Sequence, residues 1–410
     1  MKASEVPPHV LAFCQAERQF HPFALLWGLI FLLTLIAVFI TASAPAIAGG
    51  APGWAADELV VVVRPGTLPA KARAIYHANG AVLLDRIPQI NAHRIRVPAH
   101  ALENVQRALS HRPEVQYVQK NYRLSLEAFP NDPGFQDQWH LPQIDAHQAW
   151  DITRGVEGLI IAILDTGVDP DHPDLESKLV VGYNFYDGNT DTADVHGHGT
   201  AVAGAAAAVT DNGLGVAGVA WYPRIMPVRI ASPQGYAYTW TIAHALVWAV
   251  DNDARVMNIS FSGIAGSVFI QDAAIYVRSQ GGLVVAAAGN CGCFDYTAEN
   301  PYIVSVSATD PNDLIASFSS RGIYVDLAAP GVSILTTWNG GTYGSASGTS
   351  FSSPITAGVA ALIMSVNPDL TPTEVEDILL ATADDLGPMG YDTSYGYGRV
   401  NAYQAVLTAS

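Results

Sequence analysis

Five mainly apolar runs, separated by stretches of helical character, dominate the sequence from residue 138 to the C-terminus. Such runs are typical of strands in a parallel sheet that helices cover on both faces. The predicted strands are 159–164, 224–230, 256–261, 283–288 and 303–307. The predicted helices are 200–208, 239–252, 350–365 and 373–381. This alternation predicts an α/β layered domain with a parallel sheet over residues 138–410.

A smaller unit is predicted over residues 57–123. It begins with the strand-like run ELVVVVR and ends with the alternating run EVQYVQKNYRL. Between them, one helix is expected to end at Gly80 and a second before Pro113. The resulting order βαββαβ is that of a small ferredoxin-like α+β domain. Residues 124–137 are expected to form a linker and the N-terminal arm of the larger domain.

The N-terminal segment, residues 1–48, indicates export. No charged residue occurs between Arg18 and Asp57, and the stretch 23–40 is almost wholly apolar. Its length is at the lower limit for a membrane span, and Ala46-Ile47-Ala48 fits the small-residue pattern of signal-peptide cleavage. Two interpretations stay open: a cleaved signal with a secreted enzyme, or an anchor at 23–40 that holds the enzyme on the outer side.

Charge divides the chain sharply. Residues 57–127 carry a net charge of +4, whereas residues 128–410 carry −21 and contain one lysine, Lys178. So acidic a surface argues against a nucleic-acid partner. Opposite charges also predict that the two segments attract each other.

The three cysteines cannot build a disulfide framework. Cys291 and Cys293 are separated by one residue, so a bridge between them would close a very small ring. They are therefore expected to be two free or buried thiols, and the sequence suggests no purpose for them.

Four polar residues stand where predicted elements begin or end: Asp165 in ILDTGVD, His198 in DVHGHGTAVAG, Asn290 in AAAGN and Ser350 in SGTSFSSP. A serine hydroxyl needs a base within hydrogen-bond reach to become a nucleophile near neutral pH. An imidazole can accept that proton, and a buried carboxylate can orient the imidazole. Taken singly, these residues could be turn or helix-cap residues. Together they suggest a serine-nucleophile site with Asn290 as an oxyanion donor.

Three other interpretations of these residues are weaker. An aspartic protease needs two carboxylates that share a proton, and the chain has no second Asp-Thr-Gly or Asp-Ser-Gly. A metal-dependent hydrolase could use His196 and His198, but no comparable motif supplies further ligands. A catalytically inactive scaffold is not indicated, because all four polar residues that a serine-nucleophile site would need are present.

The stretches DTGVD, HGTAVAG, AAAGN and GTSFSSP, in the order Asp, His, Ser, resemble the subtilisin-type serine proteases, and the thermitase-like members especially. The resemblance covers about residues 132–405 and implies a subtilisin-like endopeptidase acting on proteins or peptides. It assigns the orienting carboxylate to Asp165, the general base to His198, the nucleophile to Ser350 and the oxyanion amide to Asn290. It also implies a self-processing zymogen, expected to be monomeric, in which residues 57–123 are the inhibitory propeptide.

The same resemblance implies structural calcium, for which carboxylate, amide and carbonyl oxygens are suitable ligands. A first site would be formed by Asp132, Asp174, Val209, Asn212, Leu214 and Val216, the apolar residues acting through their carbonyl groups. A second and weaker site would be formed by Asn184, Asp187, Asn189 and Asp191, although this stretch could equally be a solvated acidic turn.

The predicted substrate-binding residues are Ser260, Phe261, Ser262 and Gly289. The family usually has Ser-Leu-Gly where this chain has Ser260-Phe261-Ser262. A side chain therefore replaces a glycine beside the primary specificity pocket, and this makes the depth of the pocket uncertain from sequence.

Overall fold

Residues 54–122 form an antiparallel sheet with two helices on one face in the computed structural model, which describes residues 54–122 and 129–410. The elements are β1 (Trp54–Val63), α1 (Pro69–Ala78), β2 (Val82–Ile87), β3 (Ala92–Arg96), α2 (Leu102–Ser110) and β4 (Val115–Tyr122). The strand order β2-β3-β1-β4 confirms the ferredoxin-like prediction. Residues 1–53, with the predicted export signal or anchor, and 123–128 lie outside the described residues.

The helices of this small domain follow from its sequence pattern. Pro69 occupies the first turn of α1, where its missing N–H has no intrahelical partner to lose. Leu102, Val105 and Leu109 recur at helical spacing along α2 and are all buried. They pack with Leu59, Val61 and other residues on the helix-facing side of the sheet.

The second sheet has seven strands in the order β11-β10-β9-β8-β5-β7-β6, and all its pairings are parallel. The strands are β5 (Ile160–Asp165), β6 (Tyr183–Asn184), β7 (Arg224–Arg229), β8 (Ala254–Ile259), β9 (Leu283–Ala287), β10 (Ile303–Thr309) and β11 (Leu327–Pro330). All five predicted strands lie in this sheet, which confirms the expected α/β class.

Helices cover both faces of the parallel sheet. They are α3 (His140–Gln143), α4 (Ala146–Trp150), α5 (His198–Ala207), α6 (Thr239–Asp251), α7 (Val268–Ser279), α8 (Thr349–Val366), α9 (Pro372–Ala381) and α10 (Ala402–Ala409). Ile161 and Ile163 of β5 face the core that contains α5 and α8. Ala162 and Leu164 face the core formed by α6 and α7. Both faces of β5 are thus apolar, which explains its uninterrupted hydrophobic run.

Two further features complete the large domain. Strands β12 (Ile334–Trp338) and β13 (Thr342–Ala346) pair as an antiparallel hairpin, and β12 packs against α5. Within the described residues, α8 alone is long and apolar enough to cross a membrane, and its side chains are buried in the core. Helix α8 contacts β8, β9, β10 and β11, so its N-terminus is held close to the sheet.

Candidate active site

Three neighbouring strands of the parallel sheet bring candidate residues to one edge. Asp165 is the last residue of β5, Ser260 directly follows β8, and Asn290 lies three residues beyond β9. Strand β8 pairs with both β5 and β9, so these three positions are adjacent across the sheet. The carboxyl edge of a parallel sheet is where ligands bind in open α/β folds.

His198 begins α5 and contacts the strand that ends at Asp165. The Nδ1 atom of His198 lies 2.7 Å from Oδ1 of Asp165, which also accepts a hydrogen bond from the N–H of Thr166. Helix α5 approaches this closely because residue 199 is glycine. A Cβ atom at Gly199 would lie 2.1 Å from the carbonyl oxygen of Gly167. The carboxylate of Asp165 is fully buried.

Electrostatics favour the protonated form of His198. Burial lowers the pKa of His198, but the charge and hydrogen bond of Asp165, together with the charge of Asp194, outweigh this effect and raise it above its ordinary value. An imidazole held in this way can accept a proton from a hydroxyl and stabilise the charge it gains.

Ser350 is the second residue of α8 and is 8% exposed. Its hydroxyl donates to the carbonyl oxygen of Ser260 at 3.3 Å. The described residues contain no hydrogen bond between Ser350 and His198, although the rings of His198 and Phe351 lie 6.1 Å apart between centroids. Nucleophile–base hydrogen bonds are often long without substrate and tighten in the reacting complex.

Asn290 is exposed, and its amide has a fixed orientation. Its Oδ1 accepts hydrogen bonds from the backbone N–H of Thr349 at 2.9 Å and from the Thr349 hydroxyl at 3.0 Å. The Nδ2 group is therefore left to donate elsewhere. Since Thr349 is directly before Ser350, the amide donor and the hydroxyl belong to one rigid unit.

The predicted substrate-binding residues surround this unit. The Ser260 hydroxyl is buried and lies 2.9 Å from the Ser350 carbonyl oxygen. The rings of Phe261 and His198 lie 6.4 Å apart between centroids. Gly289 has φ +113°, and a Cβ there would lie 2.9 Å from Ser320 Oγ and 3.3 Å from Ser262 Oγ. The Ser262 side chain thus stands beside Gly289, which fits a shallower pocket than a glycine at 262 would give.

The expectation of free or buried thiols at Cys291 and Cys293 is wrong, because the two residues form a disulfide. Gly292 adopts φ +64° and reverses the chain, so that the two Cα atoms lie 5.1 Å apart. This separation is within the ordinary range for disulfides. The bridged loop follows Asn290 directly and is held by hydrogen bonds to residues 318–321.

The first predicted calcium loop brings its main residues together. Asp132 and Asp174 are buried, and Asn212 Nδ2 donates to Asp174 Oδ1 at 2.9 Å. Val216 N–H donates to Asp174 Oδ2 at 3.0 Å, and Asn212 N–H lies 3.2 Å from Asp132 Oδ1. Burial raises the pKa of Asp132, and the charge of Asp174 raises it further. Within the described residues, neither carboxylate forms an ion pair with a basic side chain.

Val209 and Leu214 complete the first loop through the backbone. The N–H of Val209 donates to the Asp174 carbonyl oxygen at 2.8 Å, and the N–H of Leu214 donates to Asn212 Oδ1 at 2.8 Å. No cluster of three or more His, Cys, Asp or Glu side chains suited to a metal occurs in the described part of the chain. Any cation here would therefore depend on amide and carbonyl oxygens as well as two carboxylates.

The second predicted calcium loop has a cation of its own. The guanidinium of Arg229, which is almost fully buried, lies 3.0 Å from Asp187 Oδ2. Asn184 Nδ2 donates to the same carboxylate at 3.1 Å and to the Asp191 carbonyl oxygen at 2.8 Å. Asn189 accepts a hydrogen bond from Asp191 N–H. Arg229, the last residue of β7, therefore supplies this loop with a positive charge that the first loop lacks within the described residues.

Sequence reasoning missed three residues of the site. Thr349 fixes the Asn290 amide, while Thr166 and Asp194 form a hydrogen-bonded group beside Asp165 and His198. Both Thr166 and Asp194 stand inside the motifs DTGVD and DVHGHGT. Their position next to candidate catalytic residues was the available signal, but only the fold shows which of them touch.

The parallel sheet, with polar residues at its carboxyl edge and a histidine paired with a buried aspartate, has the architecture of an α/β hydrolytic enzyme. Comparison with known proteins makes this specific. Residues 156–398 match the model of the subtilase family, and residues 42–121 match that of the fervidolysin N-terminal prodomain. The chain belongs to the subtilase family and is a thermitase-like serine endopeptidase with a propeptide.

Individual relatives agree with this assignment. The chain is 43% identical over 281 residues to thermitase from Thermoactinomyces vulgaris, covering 68% of this chain and 99% of thermitase. It is 40% identical over 308 residues to a thermophilic serine proteinase from Bacillus sp. strain AK1, covering 74% and 76%. A solved protease structure from Pseudoalteromonas arctica has a TM-score of 0.62 and 34% identity, covering 69% of this chain and all of that one.

Proposed function

We propose that the chain is an exported serine endopeptidase that cleaves peptide bonds through Ser350, His198 and Asp165. Ser350 Oγ attacks the peptide carbonyl carbon while His198 takes its proton, and the carbonyl oxygen gains the negative charge. Asn290 Nδ2 donates to that oxygen. The protonated His198 then gives its proton to the leaving amine, and an acyl-enzyme on Ser350 remains until water hydrolyses it.

The observation that best supports this mechanism is the 2.7 Å contact between His198 and the fully buried Asp165, beside an amide whose carbonyl end is already occupied. Base, orienting group and oxyanion donor thus come from three segments far apart in sequence. We assign the nucleophile to Ser350, whose hydroxyl lies at the start of α8 and next to Thr349, the residue that holds the Asn290 amide.

A fluorophosphonate probe tests the assignment directly. We expect one covalent adduct on the active chain, mapped by mass spectrometry to Ser350, and neither adduct nor peptidase activity in Ser350→Ala. Ser347→Ala is the matched control, because Ser347 is exposed and lies three residues earlier. An active enzyme labelled elsewhere, or active but unlabelled, would refute the role of Ser350. A metal-dependent enzyme using His196 and His198 predicts the second result.

We also propose that residues 54–122 act as an intramolecular inhibitor and folding aid that the enzyme removes itself. The described residues contain no hydrogen bond or ion pair between 54–122 and 129–410, so support comes from the prodomain match, the opposite charges and two apolar surfaces. One surface is the helix-free face of the small sheet, where Ile87, Ala92, Val62 and Tyr117 form a cross-strand row of which Ile87 and Tyr117 are exposed.

The second surface is a groove between α6 and α7. Its main lining residues are Trp240, His244, Val247, Phe269, Ala273 and Tyr276. Trp240 is 70% exposed and stacks on Phe269, so the groove presents a flat aromatic surface. Exposed apolar patches of this kind are typical of interaction sites. We expect Trp240→Glu to weaken inhibition by the separate prodomain at least tenfold, whereas Tyr222→Glu, at another exposed aromatic residue, leaves it unchanged.

Subtilases commonly bind calcium, and we propose that this chain binds it at the first loop. Asp132 and Asp174 supply buried carboxylates without an ion-pair partner in the described residues, and Asn212 donates to both; Val209 and Val216 bond to Asp174 and Leu214 bonds to Asn212 through their backbones. A bound cation would neutralise this pair and tie the arm at Asp132 to the loop after α5. We do not extend the proposal to Asn184, Asp187, Asn189 and Asp191, where Arg229 already supplies positive charge.

Export is proposed from the sequence of residues 1–48 alone. An apolar stretch followed by Ala46-Ile47-Ala48 fits a cleaved signal. N-terminal sequencing of enzyme collected outside the cells, alongside Ser350→Ala, separates the two cleavages. Signal removal should be unaffected in Ser350→Ala, whereas cleavage near the end of the prodomain should disappear.

A further inference from the structure

Asp194 lies four residues before His198, and its carboxylate collects five hydrogen-bond donors. The backbone N–H groups of His196 and Gly197 donate to Oδ1, each at 2.9 Å. The Thr166 hydroxyl donates to the same oxygen at 2.8 Å. Oδ2 accepts from the backbone N–H of Thr200 at 2.8 Å and lies 2.6 Å from the Thr200 hydroxyl. The Thr200 hydroxyl lies equally close to Asn339 Oδ1, at 2.6 Å, so four donors belong to Asp194 alone and the fifth is shared with Asn339.

These contacts hold the first turn of the helix that carries the proposed base. Thr200 is the third residue of α5, and its N–H has no partner within the helix. Asp194 satisfies that N–H while also fixing Gly197, whose φ of +99° sets the direction in which His198 enters the helix. The orientation of the His198 side chain therefore depends on a carboxylate outside the helix.

The Thr166 hydroxyl extends the same group to the partner of His198. It donates to Asp194 and accepts a hydrogen bond from the N–H of Gly199 at 3.0 Å. Thr166 directly follows Asp165, and Gly199 directly follows His198. One hydroxyl thus links the backbones on both sides of the His198–Asp165 contact.

Asp194 also acts on His198 through its charge. Burial lowers the pKa of His198, and the charges of Asp165 and Asp194 raise it, with Asp165 contributing more. The neighbouring imidazole of His196 lies 6.3 Å from that of His198 between ring centroids. Loss of the Asp194 charge would leave Asp165 as the one carboxylate that favours the protonated base.

We propose that Asp194 is a positioning residue for the catalytic base, acting through the Thr166 hydroxyl and the first turn of α5. It does not touch the reacting atoms. The inference rests on the proposed roles of His198, Asp165 and Ser350. It goes further by identifying the groups, Asp194 and the Thr166 hydroxyl, that fix the position of His198 relative to Asp165.

The decisive variant is Asp194→Asn, which keeps size but places an amide NH₂ among donors. Misplacement of a catalytic group by about 1 Å can lower the rate about a hundredfold, so we expect kcat to fall about ten- to a hundredfold while KM changes less than about threefold. The base works only when it is neutral, so removal of a nearby negative charge should move the acid limb of kcat/KM to lower pH. Asp171→Asn, at an exposed aspartate, should change neither quantity.

A second pair of variants keeps the test valid if Asp194→Asn folds poorly. Thr166→Ser retains the linking hydroxyl, and Thr166→Val removes it. We expect Thr166→Ser to keep most of the activity and Thr166→Val to lose at least about tenfold in kcat. Unchanged kcat and an unchanged acid limb in a folded Asp194→Asn enzyme, or equal activity of the two Thr166 variants, would overturn the inference.

The rate of fluorophosphonate labelling separates failure of this inference from failure of the proposed function. If wild-type Ser350 is not labelled, the proposed function is wrong. If wild-type and Asp194→Asn enzymes are labelled at the same rate, the proposed function stands and the positioning role is wrong. We expect slower labelling in Asp194→Asn and in Thr166→Val, and near wild-type labelling in Thr166→Ser.

Discussion

The two sheets of this molecule differ in the sequence separation between the strands that they pair. The small domain pairs strands between residues 54 and 122, and the buried residues of its helices pack on one face of its sheet. The large domain joins seven parallel strands between residues 160 and 330, and both faces of its sheet are buried. Non-local parallel pairing is intrinsically slow to fold, whereas the small domain needs fewer distant contacts.

This difference predicts separate roles for the two regions. The site exists only when segments around residues 165, 198, 290 and 350 have met, so changes there should affect chemistry more than folding. Changes in the small domain should affect the yield of folded enzyme and leave the chemistry of the finished site intact. A variant in the small domain that changed the chemistry of the finished site would show that the two regions are not independent in function.

The largest effect is expected at the oxyanion amide. Asn290→Ala should lower kcat about 10²–10³-fold, the loss known for removal of such an amide in subtilisin, with little change in KM. The melting temperature should fall by a smaller relative amount, because the Asn290 side chain is exposed and its removal costs only the two hydrogen bonds from Thr349. Asn300→Ala should give the opposite pattern, with a lower melting temperature and little change in kcat. Asn300 is buried and donates to the Ala265 carbonyl oxygen. Normal turnover in Asn290→Ala would exclude its role.

Deleting the small domain should give the next largest effect. Residues 129–410 expressed without residues 54–122 should yield at least about tenfold less active enzyme, because the parallel sheet then folds without help. The separate small domain supplied in trans should restore the yield and, in excess, inhibit the finished enzyme. Equal recovery with and without it would contradict the folding role.

Calcium removal should lower stability rather than chemistry. A ligand present at a hundredfold excess over its Kd stabilises by about 2.7 kcal/mol, which corresponds to about 5 °C in Tm for a domain of this size. A chelator should produce this shift in enzyme blocked with a sulfonyl fluoride, so that self-digestion plays no part. Asp174→Asn should reduce the shift, and Asp187→Asn should leave it unchanged. A Tm independent of calcium would refute the proposed site.

The smallest effect is expected at the Cys291–Cys293 disulfide. The bridge closes a ring of three residues, so loop entropy allows it only about 1–2 kcal/mol of stabilisation. The bridge should mainly affect the position of the neighbouring Asn290, because Cys291 directly follows that residue. The double variant Cys291→Ser/Cys293→Ser should lower kcat about two- to fivefold with little change in Tm. A large loss of Tm with unchanged kcat would reverse this assignment.

Much of the large sheet could be predicted because its strands are buried on both faces and therefore form continuous apolar runs. Strands β6 and β11 and the hairpin β12–β13 could not, because they are short or partly exposed and lack such runs. Helix α7 was also missed. Its start depends on Ser267, whose hydroxyl accepts from Ile270 N–H, and a single cap is a weak signal in a sequence.

The candidate site could be predicted in its residues but not in its contacts. The motifs pointed to Asp165, His198, Asn290 and Ser350, whereas the roles of Thr166, Thr349 and Asp194 depend on which segments meet across the sheet. The disulfide was missed for a related reason. The left-handed φ of Gly292, which brings the two cysteines together, is a property of the folded loop.

A crystal structure of the mature enzyme with a peptide boronic acid tests the central claim most directly, because boron forms a tetrahedral adduct with a reactive serine. The mechanism predicts a bond from boron to Ser350 Oγ. One boronate oxygen should lie within about 3.1 Å of Asn290 Nδ2, and His198 should be within hydrogen-bond distance of the adduct. Boron bound to another residue, or an adduct on Ser350 with Asn290 and His198 out of reach, would contradict it.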